Sequence, residues 1–411
     1  MSGQKDERVC CQTGAESSGT LVDPVRQEVL ALAHTVVIKV GTQVVTDDSG
    51  RLCPERLAGL VEQIERLRAE GRRVALVSSG AIGAGVGRLG LPRRPESLRH
   101  LQAAASVGQT ELMRCYAELF ARHGTQVGQL LLTAADFDNR TRYLNVRNTL
   151  WTLFEWRCLP IVNENDTVSV AEIRFGDNDR LAAMVTNLLQ APLLILLSTV
   201  DGLLCSDAQT GQEHPLLTVE RFDDSLLALA REQRTRLGSG GMKSKLQAAR
   251  LVTRAGECAL IANGCRPGIL DEIRAGKPVG TLFLPQGGLL PARKRWLGLT
   301  ARPRGSLRVD AGACAALSSQ GKSLLPIGVI GVEGHFNKGD VVSVLDPEGH
   351  EFARGLVNYS AADVRRIMGL RSERVLDRLG PGAYEEVIHR DNLVLLDDAP
   401  ASDAEGDEEK P

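Results

Sequence analysis

Along the first two thirds of the chain, short uninterrupted apolar runs alternate with longer stretches in which apolar residues recur every three or four positions. Val36–Val40, Arg73–Ser78, Val127–Leu132, Pro160–Val162 and Pro192–Leu197 are runs of the first kind; Pro54–Glu70, Leu98–His123 and Tyr143–Glu155 are of the second. The first kind predicts strands and the second helices, with Leu57, Leu60, Val61, Ile64 and Leu67 sharing one helical face. Strands without polar alternation are buried on both faces, as in a mostly parallel sheet covered by helices. Residues 31–285 are therefore expected to form one α/β domain.

The pattern changes after Pro285–Arg295, whose Pro/Gly content and charge run predict a linker over 286–297. Beyond it, Gly305–Asp310, Gly328–Glu333, Asp340–Leu345 and Gly349–Asn358 read as short strands, with Asp346–Gly349 as a type I turn. Helices are expected to be scarce there, so residues 298–396 predict a small β-rich, barrel-like second domain. Residues 1–30, polar and Gly/Ser-rich, and 397–411, acidic and without aromatics, predict disordered tails.

Composition narrows the function classes. A chain of 411 residues with 43% hydrophobic and 24% charged residues is that of a globular protein of two or three domains. Lys+Arg 49 against Asp+Glu 51 leaves a formal net charge of −2, so no global polycation argues for nucleic acid or an anionic membrane. Nine cysteines without a C-x-x-C spacing fit reduced thiols in a cytosol better than a disulfide frame or a zinc site. Met1–Asp23 lacks the apolar core of a secretory signal, and no apolar run is long enough to span a bilayer. A cytoplasmic protein is expected.

The candidate chemistry centres on Ile161–Ala183, where a buried strand end runs into two clusters of carboxylates and amides, Asn163–Asp166 and Asp177–Asp179. The second cluster precedes a helix pattern, so Asp177 or Asn178 would serve as its N-cap, and free amide protons there invite an anion. The plain alternative is a pair of Asx-rich turns. In open parallel sheets, ligands gather at the carboxyl edge. There the sequence places Lys39–Thr42, Ser78–Gly85, Asn163–Asp166 and Ser198–Thr199, with Gly41, Gly80 and Gly83 allowing close backbone approach to an anion and Lys39 a point charge. A second glycine-rich stretch, Arg236–Arg250, leads into a helix. It offers Gly240, Gly241 and two lysines as a polyphosphate cradle or, alternatively, a flexible linker; the spacing is not that of a Walker A loop. Gly85–Gly90 matches G-x-G-x-x-G, a weak dinucleotide signal away from any strand end. No H-E-x-x-H, G-x-S-x-G or spaced Cys/His set appears, so metal hydrolysis and triad chemistry lose their usual carriers. Phosphoryl transfer requires alignment and positive charge, which two lysines and glycine amides supply. The residues thus point to a small-molecule kinase.

Taken together and in order, Val37–Thr42, Ser78–Ile82, Asn163–Asp166, Gly176–Asp179, Gly238–Lys245 and Pro278–Thr281 resemble the glutamate 5-kinases of the amino acid kinase family. The resemblance covers residues 35–285, and the remainder is similar to a PUA domain joined through Arg293–Trp296. It implies a three-layer αβα sandwich with a mostly parallel sheet. It also implies ATP-dependent phosphorylation of the γ-carboxylate of L-glutamate to L-glutamyl 5-phosphate, the first step of proline biosynthesis. Lys39 and Lys245 would stabilise the transferring phosphoryl group, with Asp179 orienting them. Ser79, Asp166 and Asn178 would hold glutamate. Lys39, Ser198 and Thr199, with Ser239, Gly240, Gly241, Met242, Lys243, Ser244 and Lys245, would hold ATP. Many relatives have Thr-Asp where this chain has Ser198-Thr199, and Lys243 adds a charge to the loop. Mg²⁺ is implied with ATP, held by phosphates and water rather than a protein ligand. The family also implies a homo-oligomer and hand-over of glutamyl phosphate to glutamate-5-semialdehyde dehydrogenase. Aspartate, carbamate and nucleoside monophosphate kinases resemble the same sandwich and are the rival acceptor readings. PUA domains often sit on RNA enzymes, but with only Phe336, Phe352 and Tyr359 as stacking candidates no RNA partner is expected, nor a membrane.

Overall fold

Apolar runs too short for a helix and flanked by glycine or polar turns settle as strands covered on both faces. Thr35–Val40 (β1), Arg73–Ser78 (β2), Val127–Leu132 (β3), Leu159–Glu164 (β4) and Leu193–Ser198 (β5) are the first five. The short Leu204–Ser206 (β6), Glu213–Pro215 (β7) and Thr218–Val219 (β8) follow, then Cys258–Asn263 (β9) and Thr281–Phe283 (β10). The computed structural model describes residues 22–47, 49–169, 178–206, 213–222, 226, 241–286, 292–380 and 384–396. Two units result: one takes in the described residues up to Asp136 and from Leu144 to Gln286, the other Phe137–Tyr143 and those from Ala292 on.

In the first unit an eight-stranded sheet runs in the order β3-β4-β2-β1-β5-β9-β10-β8. From β3 to β9 all neighbours are parallel; β10 turns antiparallel to β9. Helices cover both faces, giving the expected αβα layers. The face predicted on Pro54–Ala69 is buried as a set, with Leu57, Leu60, Val61, Ile64 and Leu67 in the core beneath β1 and β2.

Several expectations are corrected. Pro24–Leu32, placed in the N-terminal tail by composition, is a helix with Pro24 in its first turn and Asp23 accepting from the Val25 amide at 2.9 Å. Arg26 of this helix is buried and donates to the carbonyls of Val279 (2.5 Å), Leu217 (2.6 Å) and Gly280 (3.1 Å), partners some 190 to 250 residues away that no local pattern reveals. The glycine-rich stretch after β2 is also a helix, Ala81–Arg88. Its glycines are packing devices. A Cβ at Gly85 would sit 1.8 Å from the Ala104 carbonyl, and one at Gly108 1.8 Å from the Ala81 carbonyl, where this helix meets Leu98–Ala121. Within the G-x-G-x-x-G spacing, Gly85 thus marks a helix–helix contact. Gly83 lies within the same helix, where an ideal Cβ would sit 2.2 Å from the Gly50 carbonyl, so the missing side chain serves close packing there.

The second unit holds a five-stranded sheet of Gly305–Val309 (β11), Val329–Gly334 (β12), Val341–Leu345 (β13), Glu351–Leu356 (β14) and Leu393–Leu395 (β15). Their order is β12-β11-β13-β14-β15, parallel only between β11 and β13. The Asp346–Gly349 turn forms, closed by the Gly349 amide on the Asp346 carbonyl at 3.1 Å. Helices are more frequent than expected: Ala311–Gln320, Ala361–Ile367 and Ser372–Leu379. The described part of the expected linker is helical from Ala292, passing into a π-helical turn at Trp296–Thr300. Trp296 is buried and donates to the Phe137 carbonyl at 2.7 Å, which gives the segment a packing role in this unit. Both terminal tails beyond Val22 and Leu396, the segment 287–291 and Asp177 lie outside the described residues.

Candidate active site

The site begins with a lysine that a strand carries into the interior. Lys39 is the last residue but one of β1, only 2% exposed, and its ammonium lies 2.7 Å from Asp179 Oδ1. Asp179 opens the helix Asp179–Leu189 and is wholly buried. Its other oxygen is 3.2 Å from Lys245 Nζ and accepts from Ser244 Oγ at 2.9 Å. Lys245 and Ser244 come from the first turn of the helix Met242–Thr253, and Lys245 is 5% exposed. Two buried ammonium groups thus share one carboxylate. Asp179 holds both ammonium groups in fixed positions before any ligand arrives. Neither helix has a side-chain N-cap hydrogen bond.

Asn178, one of the two residues expected there, takes the N-cap position, but its side chain makes no capping hydrogen bond. Its NH₂ donates to Asn163 Oδ1 at 2.7 Å and Ser79 Oγ at 3.0 Å, tying the ends of β4 and β2 to the helix. Asn163 in turn donates to Gln109 Oε1 at 2.9 Å. Because Asn178 and Asp179 are consecutive, this amide network and the lysine pair adjoin.

Asp166, just past β4, is 5% exposed, and its Oδ1 has no hydrogen-bond partner among the described residues. Burial pushes its carboxyl up to about 7, helped by the neighbouring Glu164 charge and opposed by Arg94. Glu164 is itself buried and accepts from Ser169 Oγ. Asn178 Oδ1 is a second buried acceptor without a partner among the described residues.

Beside β1 on the side away from β2, Ser198 ends β5 and its carbonyl accepts the Gly264 amide at 2.7 Å. The adjoining Thr199 is half-buried. The loop after it is fixed by Thr281, whose hydroxyl accepts the Leu203 amide at 2.8 Å. Gly202, at φ 142°, passes so close that a Cβ would lie 2.5 Å from that hydroxyl. The Gly41 amide is engaged by the Leu197 carbonyl at 3.1 Å and is not free for an anion. Gly241 is the N-cap of the helix Met242–Thr253, Met242 is half-buried and Lys243 exposed. Ser239 and Gly240 lie outside the described residues.

The fold therefore brings Lys39, Asp179, Ser244 and Lys245 into contact, and Ser79 and Asn178 into a second contact group. Asp166 stands past the end of β4 and Ser198 and Thr199 at the end of β5, with β2 and β1 between those strands in the sheet. Sequence reasoning did not single out Gln109 or the side chain of Asn163; the only signal was the position of Asn163 at a strand end.

An amino acid kinase family model matches residues 34–263, and a PUA domain model matches residues 305–379. With the sheet, its strand-end lysine and its buried carboxylate already in view, the chain belongs to the amino acid kinase family. Its relatives include proteins named glutamate 5-kinase. The one from Syntrophus aciditrophicus is 46% identical over 372 residues, 90% of this chain and 96% of the relative. That from Chromohalobacter salexigens is 46% identical, over 90% of this chain and 98% of its own. That from Thioalkalivibrio sulfidiphilus is 48% identical, over 89% and 98%.

Proposed function

We propose that this chain is a glutamate 5-kinase that transfers the γ-phosphoryl group of ATP to the γ-carboxylate of L-glutamate, the first step of proline biosynthesis. A carboxylate oxygen forms the new P–O bond as the bond to the β-phosphate oxygen breaks, giving L-glutamyl 5-phosphate and ADP. The acceptor is already ionised at neutral pH, so no general base is required; the need is for positive charge around the transferring group. The observation that carries the reading is the pair of buried ammonium groups, Lys39 and Lys245, held on one carboxylate, Asp179.

Glutamate is assigned to Ser79, Asp166 and Asn178, and ATP to Lys39, Ser198, Thr199 and the loop from Ser239 through Gly240, Gly241, Met242, Lys243 and Ser244 to Lys245. The unpartnered oxygens of Asp166 and Asn178 suit the substrate's ammonium, because the Asn178 NH₂ is already engaged. Mg²⁺ enters with ATP. The ion is assigned to phosphate and water rather than to Asp179, whose two oxygens lie on lysines. The second unit is assigned as an interaction or regulatory module rather than an RNA-binding one. A cytoplasmic homo-oligomer handing its labile acyl phosphate to glutamate-5-semialdehyde dehydrogenase completes the reading; no helix among the described residues is long and apolar enough to cross a membrane.

A coupled assay of ADP release with glutamate, aspartate, carbamate and UMP as acceptors tests the reaction: turnover is expected with glutamate, and preference for any of the others overturns it. Asp166→Ala and Asn178→Ala, titrated separately, are expected to cost roughly 2–4 kcal/mol of glutamate binding, tens to several hundredfold in KM. The ATP KM should move much less, and the opposite pattern would reverse the two halves of the site.

Asp166 also sets a pH dependence. Its carboxyl titrates at about 7 in the free protein and must be ionised to hold an ammonium, whereas the glutamate side chain titrates near about 4.3. kcat/KM for glutamate is therefore expected to fall about tenfold per unit below pH ~7 and to level off above it. A profile flat from about pH 5.5 to 8 would contradict the assignment. The stability contribution has the opposite sense. A carboxyl raised above its unfolded value favours folding at low pH, and this is lost as pH rises through about 7. Bound glutamate should accordingly raise Tm more at pH 8 than at pH 6.

A further inference from the structure

One backbone group fixes the orientation of three side-chain amides at this site. The Glu164 N–H can only donate, and it lies 2.8 Å from Asn163 Oδ1. That atom is therefore the oxygen, and the Asn163 NH₂ is its other end. The NH₂ donates to Gln109 at 2.9 Å, which makes the contacted atom the Gln109 oxygen and turns the Gln109 NH₂ away. On the other side, Asn163 Oδ1 also accepts from the Asn178 NH₂ at 2.7 Å. The same NH₂ reaches Ser79 Oγ at 3.0 Å and the Ser78 carbonyl at 3.5 Å, so Asn178 Oδ1 faces away from all three. Both ends of this chain of amides finish in buried atoms without a partner among the described residues: Gln109 Nε2, a donor, and Asn178 Oδ1, an acceptor. Buried polar atoms are costly to leave unpaired, so a network that ends in two of them points to a polar ligand beside it.

We propose that Gln109 is a positioning residue for the amino-acid substrate, locking the Asn163 amide so that Asn178 Oδ1 stays turned toward the substrate's ammonium. The inference rests on the assignment of Asn178 to glutamate. Gln109 reaches the network because its neighbour Gly108 lets the helix Leu98–Ala121 close on the chain at Ala81, directly after the Ser78–Gly80 turn. Without an acceptor at position 109 the Asn163 NH₂ loses its partner. Rotating that amide does not restore the bond, because it turns an NH₂ against the Glu164 N–H and the Asn178 NH₂. Asn163 keeps its orientation but shifts to give its NH₂ another acceptor, and Oδ1 and the Asn178 amide that it holds move out of line with it.

The test is a double-mutant cycle of Gln109→Met with Asn178→Ala, read as separate KM values for glutamate and ATP and as Tm with and without glutamate. Gln109→Met preserves length and removes the acceptor; Gln109→Leu serves as a second variant should Met fold poorly. Gln109→Met alone is expected to raise the glutamate KM about tenfold and leave the ATP KM within about twofold. In the Asn178→Ala background it should add less than about twofold, because the two substitutions break one relay. Factors that simply multiply would overturn the relay, as would a lowered ligand-free Tm with both KM values moving in parallel, the mark of a packing role. If Asn178→Ala leaves the glutamate KM unchanged, the substrate assignment itself falls. If it raises that KM while Gln109→Met does not, only the relay falls.

Discussion

Asp179→Ala is expected to lower kcat by at least about a thousandfold, since it disorganises two preorganised charge donors at once. It is also expected to reduce stability by about 3–5 kcal/mol. Asp179 is wholly buried and holds Lys39 at 2.7 Å and Lys245 at 3.2 Å. Its removal leaves two ammonium groups repelling one another away from water. Each of the surviving lysines would relax by moving or by losing its proton, and neither outcome presents charge to a phosphoryl group. Asp179→Asn separates the two effects. The amide keeps the side-chain volume, so much of the packing is retained, but a neutral group cannot balance two cations, and turnover should remain low. Urea unfolding and steady-state kinetics on both variants check this; near-normal kcat in either would remove Asp179 from the mechanism.

Lys245→Ala is expected to lower kcat at least about a hundredfold while leaving both KM values within a few-fold, the signature of an interaction made mainly in the transition state. Lys245 stands in the first turn of the helix Met242–Thr253, and Asp179 anchors its ammonium from below. The fold should be little affected, because Lys39 and Ser244 still satisfy Asp179. Lys245→Arg should not restore full activity, because a planar guanidinium does not fit a point-charge position. A Lys245→Ala enzyme with nearly normal turnover would refute the role, and the reading of the lysine pair with it.

The sheet, the helix face over it and the ends of the strands were legible in the sequence because burial periodicity is a local property. Leu57, Leu60, Val61, Ile64 and Leu67 recur on one face wherever the helix ends up, and strands buried on both faces must be apolar at every position. The same logic placed Asn163–Asp166 and Asn178–Asp179 at a strand end and a helix start. It failed where packing rather than pattern decides. Ala81–Arg88 is helical despite its three glycines, because close contact of Gly83 and Gly85 with neighbouring backbone repays what glycine loses. Ala311–Gln320 has no apolar stripe to betray it, although its Asp310 cap and Gly321 terminus were visible signals.

The candidate site divides in the same way. Which residue types are present, and that they fall at the carboxyl edge of a parallel sheet, followed from the chain by itself. Which side chain meets which did not. Lys39 and Asp179 are 140 positions apart, and Lys245 a further 66 beyond, yet they form one buried cluster. Gln109 was invisible because a half-buried glutamine on a helix carries no pattern; only the approach allowed by Gly108 gives it a partner in Asn163. Secondary structure is specified by neighbours along the chain, whereas hydrogen-bond and charge pairing is specified by neighbours in space, and those exist only once the sheet order has been set.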